Sequence, residues 1–157
     1  MKDPQHFMHE ANRLARQGMF SGDGGPFGAV IVRKGEIIGR GWNMVLRSND
    51  PTAHAEIVAL RDACTAQGSY WLEDCHIFIN CEPCPMCLAA LYWAKIKTVT
   101  YGATRTDAAD IGFDDNYIYR EVCLPVPERS LECVQSGRSD ALQIMRLWPA
   151  LEGRIQY

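Results

Sequence analysis

The sequence predicts a three-layer α/β sandwich, in which a five-stranded mixed sheet starts as a hairpin, continues mostly parallel and is covered by helices on both faces. Two observations carry this. Short β-branched runs alternate along the chain with segments whose apolar residues recur at helical spacing, and Pro and Gly punctuate the junctions. Length sets the scale. A chain of 157 residues hides roughly 70% of the surface its unfolded form exposes, enough for one core without a disulfide or structural-metal staple. Residues 1–157 therefore read as a single domain.

Asp3 and Pro4 set the start of a first helix, along which Phe7, Ala11, Leu14 and Ala15 recur on one face until Gly18. Residues 22–25 form a glycine-rich loop. Residues 27–32 are a β-branched run that ends at Lys34-Gly35, and 36–42 follow as a second strand, so the two form a hairpin. Asp50-Pro51-Thr52 precedes a helix over 53–67 that Gly68 closes, and 75–80 is a short buried strand. Pro85 opens a helix running to about residue 95; it is apolar nearly all round, through Met86, Leu88, Leu91, Tyr92 and Trp93, which predicts burial on several sides. Residues 98–101 form a fourth strand, 108–119 an irregular or helical stretch, 131–135 a fifth strand and 139–151 a last helix.

Composition narrows the function. Lys and Arg number 16 against 19 Asp and Glu, a net charge of −3 with both signs spread along the chain, where a nucleic-acid binder shows a basic stripe. The longest apolar run, residues 86–94, falls far short of the ~20 that cross a bilayer. The start of the chain has no apolar stretch behind a basic residue, so a cytoplasmic location is expected. Seven cysteines, an odd number, point to metal binding or plain burial rather than a disulfide framework.

Three side chains then converge on a metal. His54 and Glu56 lie in the first turn of one helix, and Cys84 and Cys87 lie three apart in the first turn of another, each pair preceded by Pro. Three residues apart on a helix share a face, and a helix N-terminus stabilises the thiolates that bind zinc. One imidazole and two thiolates leave the fourth tetrahedral position to water, as in a catalytic zinc site. Glu56 is placed to carry a proton beside that water. Taken singly, such a His is a capped surface residue, such a Glu a dipole-favoured charge and such a Cys pair a redox motif; a zinc scaffold without activity is the alternative that the ligands alone leave open.

The pattern H-x-E with P-C-x-x-C is the signature of zinc nucleobase deaminases. His54-Ala55-Glu56 with Cys81-Glu82-Pro83-Cys84-Pro85-Met86-Cys87 resembles the cytidine deaminase superfamily, and the resemblance covers most of the chain. It implies a five-stranded sheet between helices. Longer stretches, Gly24-Gly25-Pro26-Phe27-Gly28-Ala29-Val30, Asn49-Asp50-Pro51-Thr52 ahead of the histidine and Gly112-Phe113-Asp114-Asp115, together with a final Tyr, are similar to the bacterial guanine deaminases.

That resemblance implies zinc-dependent hydrolysis of a free nucleobase, guanine to xanthine and ammonia, with one zinc per chain. It leaves as alternatives a related 2-amino heterocycle such as isocytosine or ammeline, guanosine, and the adenosine of a tRNA. Guanine suits the chemistry: its C2 carries an amino group between two ring nitrogens, so a proton delivered to N3 by Glu56 opens C2 to attack. By resemblance, Asp115 is the second carboxylate, near the departing amine. Asn43, at the end of the second strand, would bond the purine edge, and Phe27 would lie against the base. Unaided, Asn43 is a turn residue and Phe27 a core aromatic. Trp93, on its apolar helix, is read as buried, or as a residue of the pocket or a subunit interface, and is counted among the substrate-binding candidates. The family also implies a homodimer that exchanges its C-terminal helix and tail, residues 139–157, so that Tyr157 closes the neighbour's pocket.

Overall fold

In the computed structural model, which describes residues 3–157, the chain enters through a capped helix. The Asp3 carboxylate accepts the Gln5 N–H at 3.0 Å and Pro4 occupies the first helical position, where no N–H is required, so α1 runs over Pro4–Phe20. Its apolar stripe, with Phe7 and Leu14, meets Val30, Val32 and Phe78 on one face of a sheet.

The sheet has four strands, β1 (Gly28–Arg33), β2 (Glu36–Trp42), β3 (Cys75–Cys81) and β4 (Thr98–Ala103), in the order β2-β1-β3-β4. β1 pairs antiparallel with both β2 and β3, and β3 pairs parallel with β4. The expectation of mostly parallel pairing after the hairpin is corrected in this respect. β3 returns in the direction of β2, but the edge left open by the hairpin belongs to β1, which runs the other way. β1 itself is buried almost throughout, because both of its faces are covered.

On the opposite face lie α3 (Ala55–Gln67) and α4 (Pro85–Trp93), whose Ala59, Leu60, Ala63 and Leu91 share a core with Ile31, Ile77 and Ile79. Glycines in the strands let helix backbones approach closely. A Cβ on Gly28 would fall 2.1 Å from the Ala11 carbonyl oxygen in α1, and one on Gly41 would fall 2.1 Å from the Ala55 carbonyl oxygen in α3. Gly41 thereby seats the start of α3 directly on the sheet.

Between these elements a short helix, α2 (Val45–Ser48), follows β2 and ends in a left-handed Asn49. The stretch expected to be irregular or helical resolves into α5 (Arg105–Asp110), α6 (Asn116–Cys123) and the loop between them. Thr104 and Asp107 cap α5 reciprocally.

Contacts divide the chain into two compact units, Met1–Arg120 and Glu121–Tyr157. In the second, α7 spans Arg138–Leu147, and a 3₁₀ turn over Trp148–Ala150 ends it where Pro149 has no N–H to donate. The fifth strand expected at 131–135 does not form. Leu131 and Val134 are 75% and 77% exposed, so neither face of the segment is covered and no strand of the unit pairs with it. The sheet is therefore four-stranded among the described residues.

The expectation for the helix after Pro85 is also corrected. It buries a stripe through Cys87 and Leu91, while Tyr92 and Trp93 are 73% and 66% exposed. Among the described residues no helix is long and apolar enough to cross a membrane.

Candidate active site

Both helix starts aim side chains at one point. His54 is the extended N-cap residue of α3, and its carbonyl accepts the Val58 N–H while its ring leaves the helix axis. Cys84 is the N-cap residue of α4, where its sulfur accepts the Cys87 N–H at 3.5 Å, and Pro85 follows at the first helical position. The His54 Nδ1 lies 3.6 Å from the Cys84 Sγ and 3.6 Å from the Cys87 Sγ. The donor set fits zinc. Tetrahedral bonds of about 2.1 Å to nitrogen and 2.3 Å to sulfur place the donor atoms about 3.6 Å apart, and imidazole with two thiolates is a zinc-selecting combination.

The electrostatics agree. A hydrogen bond from Cys87, with help from His54, holds the Cys84 thiol down at about 4, so this sulfur is thiolate at neutral pH. The same shared hydrogen bond, together with burial, pushes Cys87 up, and the bond to Cys84 pushes His54 up. A cation in this place takes over from the shared proton.

Beside the ligands, Glu56 is only 6% exposed in the first turn of α3. Burial raises its carboxyl to about 7, and it lies within hydrogen-bonding reach of Cys87. Across the cavity, Asp115 precedes α6; burial and then the nearby Cys84 raise its pKa, and its Oδ1 is buried with no hydrogen-bond partner. Cys81 is adjacent but is no ligand: burial raises its thiol to about 11, and it donates to the Thr104 carbonyl at 3.7 Å.

These groups face a cavity of about 390 Å³, the size class of small-molecule sites. The structure brings His54, Glu56, Cys84, Asn43, Phe27 and Asp115 together on its wall; Cys87 is buried off the wall, its ligand atom within 4.8 Å of those of His54 and Cys84. Asn43 is buried, and its Oδ1 accepts the Val45 N–H at 3.2 Å, which leaves its NH₂ group for the cavity. Phe27 meets Phe113 edge to face, with ring centroids 4.9 Å apart. Trp93 is not part of the wall. It follows Cys87 by six residues, about 240° around the helix, and so faces outward. Tyr157 ends the second unit and is 67% exposed.

Sequence reasoning missed Phe113 and Arg105 as wall residues. Phe113 gains its place by pairing with Phe27, a contact that no local spacing signals. The Arg105 guanidinium stacks on the Tyr119 ring at 4.6 Å, and the Arg105 backbone N–H donates to the Glu82 carboxylate at 3.1 Å.

The model of the cytidine and deoxycytidylate deaminase zinc-binding region matches residues 1–103. The chain belongs to this deaminase family. A guanine deaminase of Bacillus subtilis (strain 168) is 48% identical over 151 residues, 96% of this chain and 97% of that protein. An X-ray structure of guanine deaminase from Bacillus subtilis superposes with a TM-score of 0.96 at 47% identity, covering 99% of each chain. Guanine deaminase from Nitrosomonas europaea is more distant, with a TM-score of 0.69 at 30% identity over 73% of this deaminase and 66% of that chain. A tRNA-specific adenosine deaminase of Agrobacterium fabrum is 34% identical over 148 residues, 93% of each. The deaminase is thus a zinc-dependent aminohydrolase with a cytidine deaminase-like α/β fold.

Proposed function

We propose that this deaminase converts guanine and water to xanthine and ammonia. The observation that carries the reading is the likeness to a guanine deaminase along nearly the whole chain, 48% identical over 96% of it. Bound by His54, Cys84 and Cys87, zinc supplies the Lewis acidity that brings a water's pKa towards ~7. Glu56, with a carboxyl near 7, takes one proton of the attacking water and delivers it to N3 of the purine, where it stays in xanthine. The second proton goes to the amine at C2, and the C–N bond breaks to release ammonia. Asp115 assists that transfer, and its unpartnered Oδ1 supports the assignment. Asn43 donates to the purine edge and Phe27 flanks the ring, both from the cavity wall.

The proposal extends to assembly. The two units act as one cytoplasmic enzyme that forms a homodimer, exchanging residues 139–157 so that Tyr157 closes the partner's cavity. Exposed apolar side chains support it: Tyr92 and Trp93 in the first unit, Ile144 and Leu147 in the second. Trp93 moves in this reading from the substrate to the subunit interface.

Ammonia release screened across guanine, guanosine, isocytosine, cytosine, cytidine, adenine and ammeline tests the substrate. Guanine is expected to be fastest, and faster release from any of the others overturns the assignment. A second reading, adenosine editing in tRNA, has in its favour the Agrobacterium relative at 34% identity over 93% of the chain. It requires tight, salt-dependent tRNA binding, which a net charge of −3 opposes.

A further inference from the structure

One wall of the cavity comes from three short stretches: Gly24 and Gly25, Asn43 after β2, and Val45 with Leu46 in α2. A single residue behind them, through its carboxylate and its main-chain carbonyl, ties all three together. Asp23 is 8% exposed, and its Oδ2 accepts the indole N–H of Trp42 at 2.7 Å and pairs with the Arg47 guanidinium at 3.4 Å. Its backbone carbonyl accepts the N–H groups of Leu46 and Arg47, both at 3.1 Å, and its own N–H donates to the Gly18 carbonyl at 3.0 Å. Trp42 in turn presses on α1, where a Cβ on Gly18 would fall 2.2 Å from the indole.

Asn43 follows Trp42 and inherits this restraint. Its Oδ1 is held by the Val45 N–H at 3.2 Å. Gly24 lies so close that a Cβ there would sit 2.0 Å from the same oxygen. The amide is thereby oriented oxygen towards α2, NH₂ towards the cavity.

We infer that Asp23 is a positioning residue: through Trp42 and α2 it holds the Asn43 NH₂ group where it donates to an acceptor on the substrate, so that the wall selects a purine edge bearing an oxo group or bare ring nitrogen over one bearing an amino group. The inference rests on the guanine-type reading above. Only a carboxylate serves the indole N–H and the guanidinium together through charge-assisted bonds. Without it, the Trp42 indole loses its anchor and Arg47 its ion pair, while the Asp23 main-chain carbonyl still holds the Leu46 and Arg47 N–H groups; Trp42 can then shift, and the amide of Asn43 can turn over, since its oxygen and nitrogen ends have nearly the same shape. An overturned amide presents an acceptor to the substrate and reverses the preference.

The test is steady-state kinetics on guanine, with the inhibition constant of 2,6-diaminopurine, zinc content and melting temperature measured on the same preparations. Asp23→Leu is expected to raise KM about tenfold while kcat stays within about threefold, and to narrow the gap between guanine and 2,6-diaminopurine. Asp23→Asn, which keeps an acceptor for the indole, restores most of the lost KM. Trp42→Phe deletes the N–H but keeps a ring against Gly18, so it shows the same split should Asp23→Leu not accumulate as folded protein. An unchanged KM in the folded variants overturns the inference, as does a fall of kcat and zinc content in step with the rise in KM. If the parent prefers another base, the substrate assignment fails by itself, and the same KM split measured on that base still decides the role of Asp23.

Discussion

A carboxyl that titrates near neutrality beside the cysteine pair can both take and return a proton within one turnover. Glu56→Gln keeps the size of the side chain but not that capacity, so it should retain zinc and lose turnover by about 10²–10⁴-fold; activity within a few-fold of the parent, with metal content unchanged, would show that the proton travels elsewhere. Cys84→Ala removes one of three ligands and should abolish both zinc and activity, as elemental analysis and ammonia release would reveal. In Asp115→Asn the amide no longer moves a proton, so kcat should fall more than binding weakens, whereas an unchanged kcat counts against its role. The residues at the helix starts were legible in the sequence, because Cys84 and Cys87 lie within one turn, His54 and Glu56 within another, and each set follows a proline. Asp23 and Phe113 were not, since each gains its meaning from a partner distant in the chain, Trp42 for one and Phe27 for the other. Trp93 was misread for a different reason: apolar composition suggests a buried helix, but only the angle from Cys87 decides which side chains of α4 face inward.

At the scale of elements, the close seating of helices on strands separates stability from metal binding. Gly41 faces the first carbonyl of α3, next to His54, whereas Gly28 faces the middle of α1 on the other side of the sheet. An added methyl at either position overpacks a tight contact and should cost about 1–3 kcal/mol, lowering the melting temperature in thermal denaturation. Only Gly41→Ala should also weaken zinc affinity, because it displaces the start of α3. Equal zinc affinity in the two variants would mean that the ligands tolerate movement of that helix. The four strands that form, and most helices, were legible from period and punctuation, since β-branched runs and glycine or proline boundaries are local signals. The fifth strand was not: residues 131–135 have strand-like side chains, yet pairing needs a neighbour that no local pattern supplies. The direction of β3 against β1 likewise depends on which edge the hairpin leaves open.

For the molecule as a whole, the proposed exchange of the tail makes assembly part of catalysis. The full-length chain should sediment as a dimer, and deleting Gln156 and Tyr157 should preserve dimer mass and zinc while raising KM for guanine and lowering turnover, since a lid keeps bulk water from the reaction. A monomer in sedimentation, or identical kinetic constants after truncation, would refute the exchange. The zinc ligands have a consequence at this scale too. His54 stands 30 residues before Cys84 and 33 before Cys87 in the chain, so a cation held by all three is a cross-link that closes a long loop containing all of α3 and all of β3. Ligand that binds only the folded state adds about 2.7 kcal/mol when present at a hundredfold excess over its Kd. Chelation should therefore lower the melting temperature and hasten proteolytic cutting around the starts of α3 and α4. In a cell short of zinc, the enzyme would then lose abundance as well as activity, its lifetime following the metal supply.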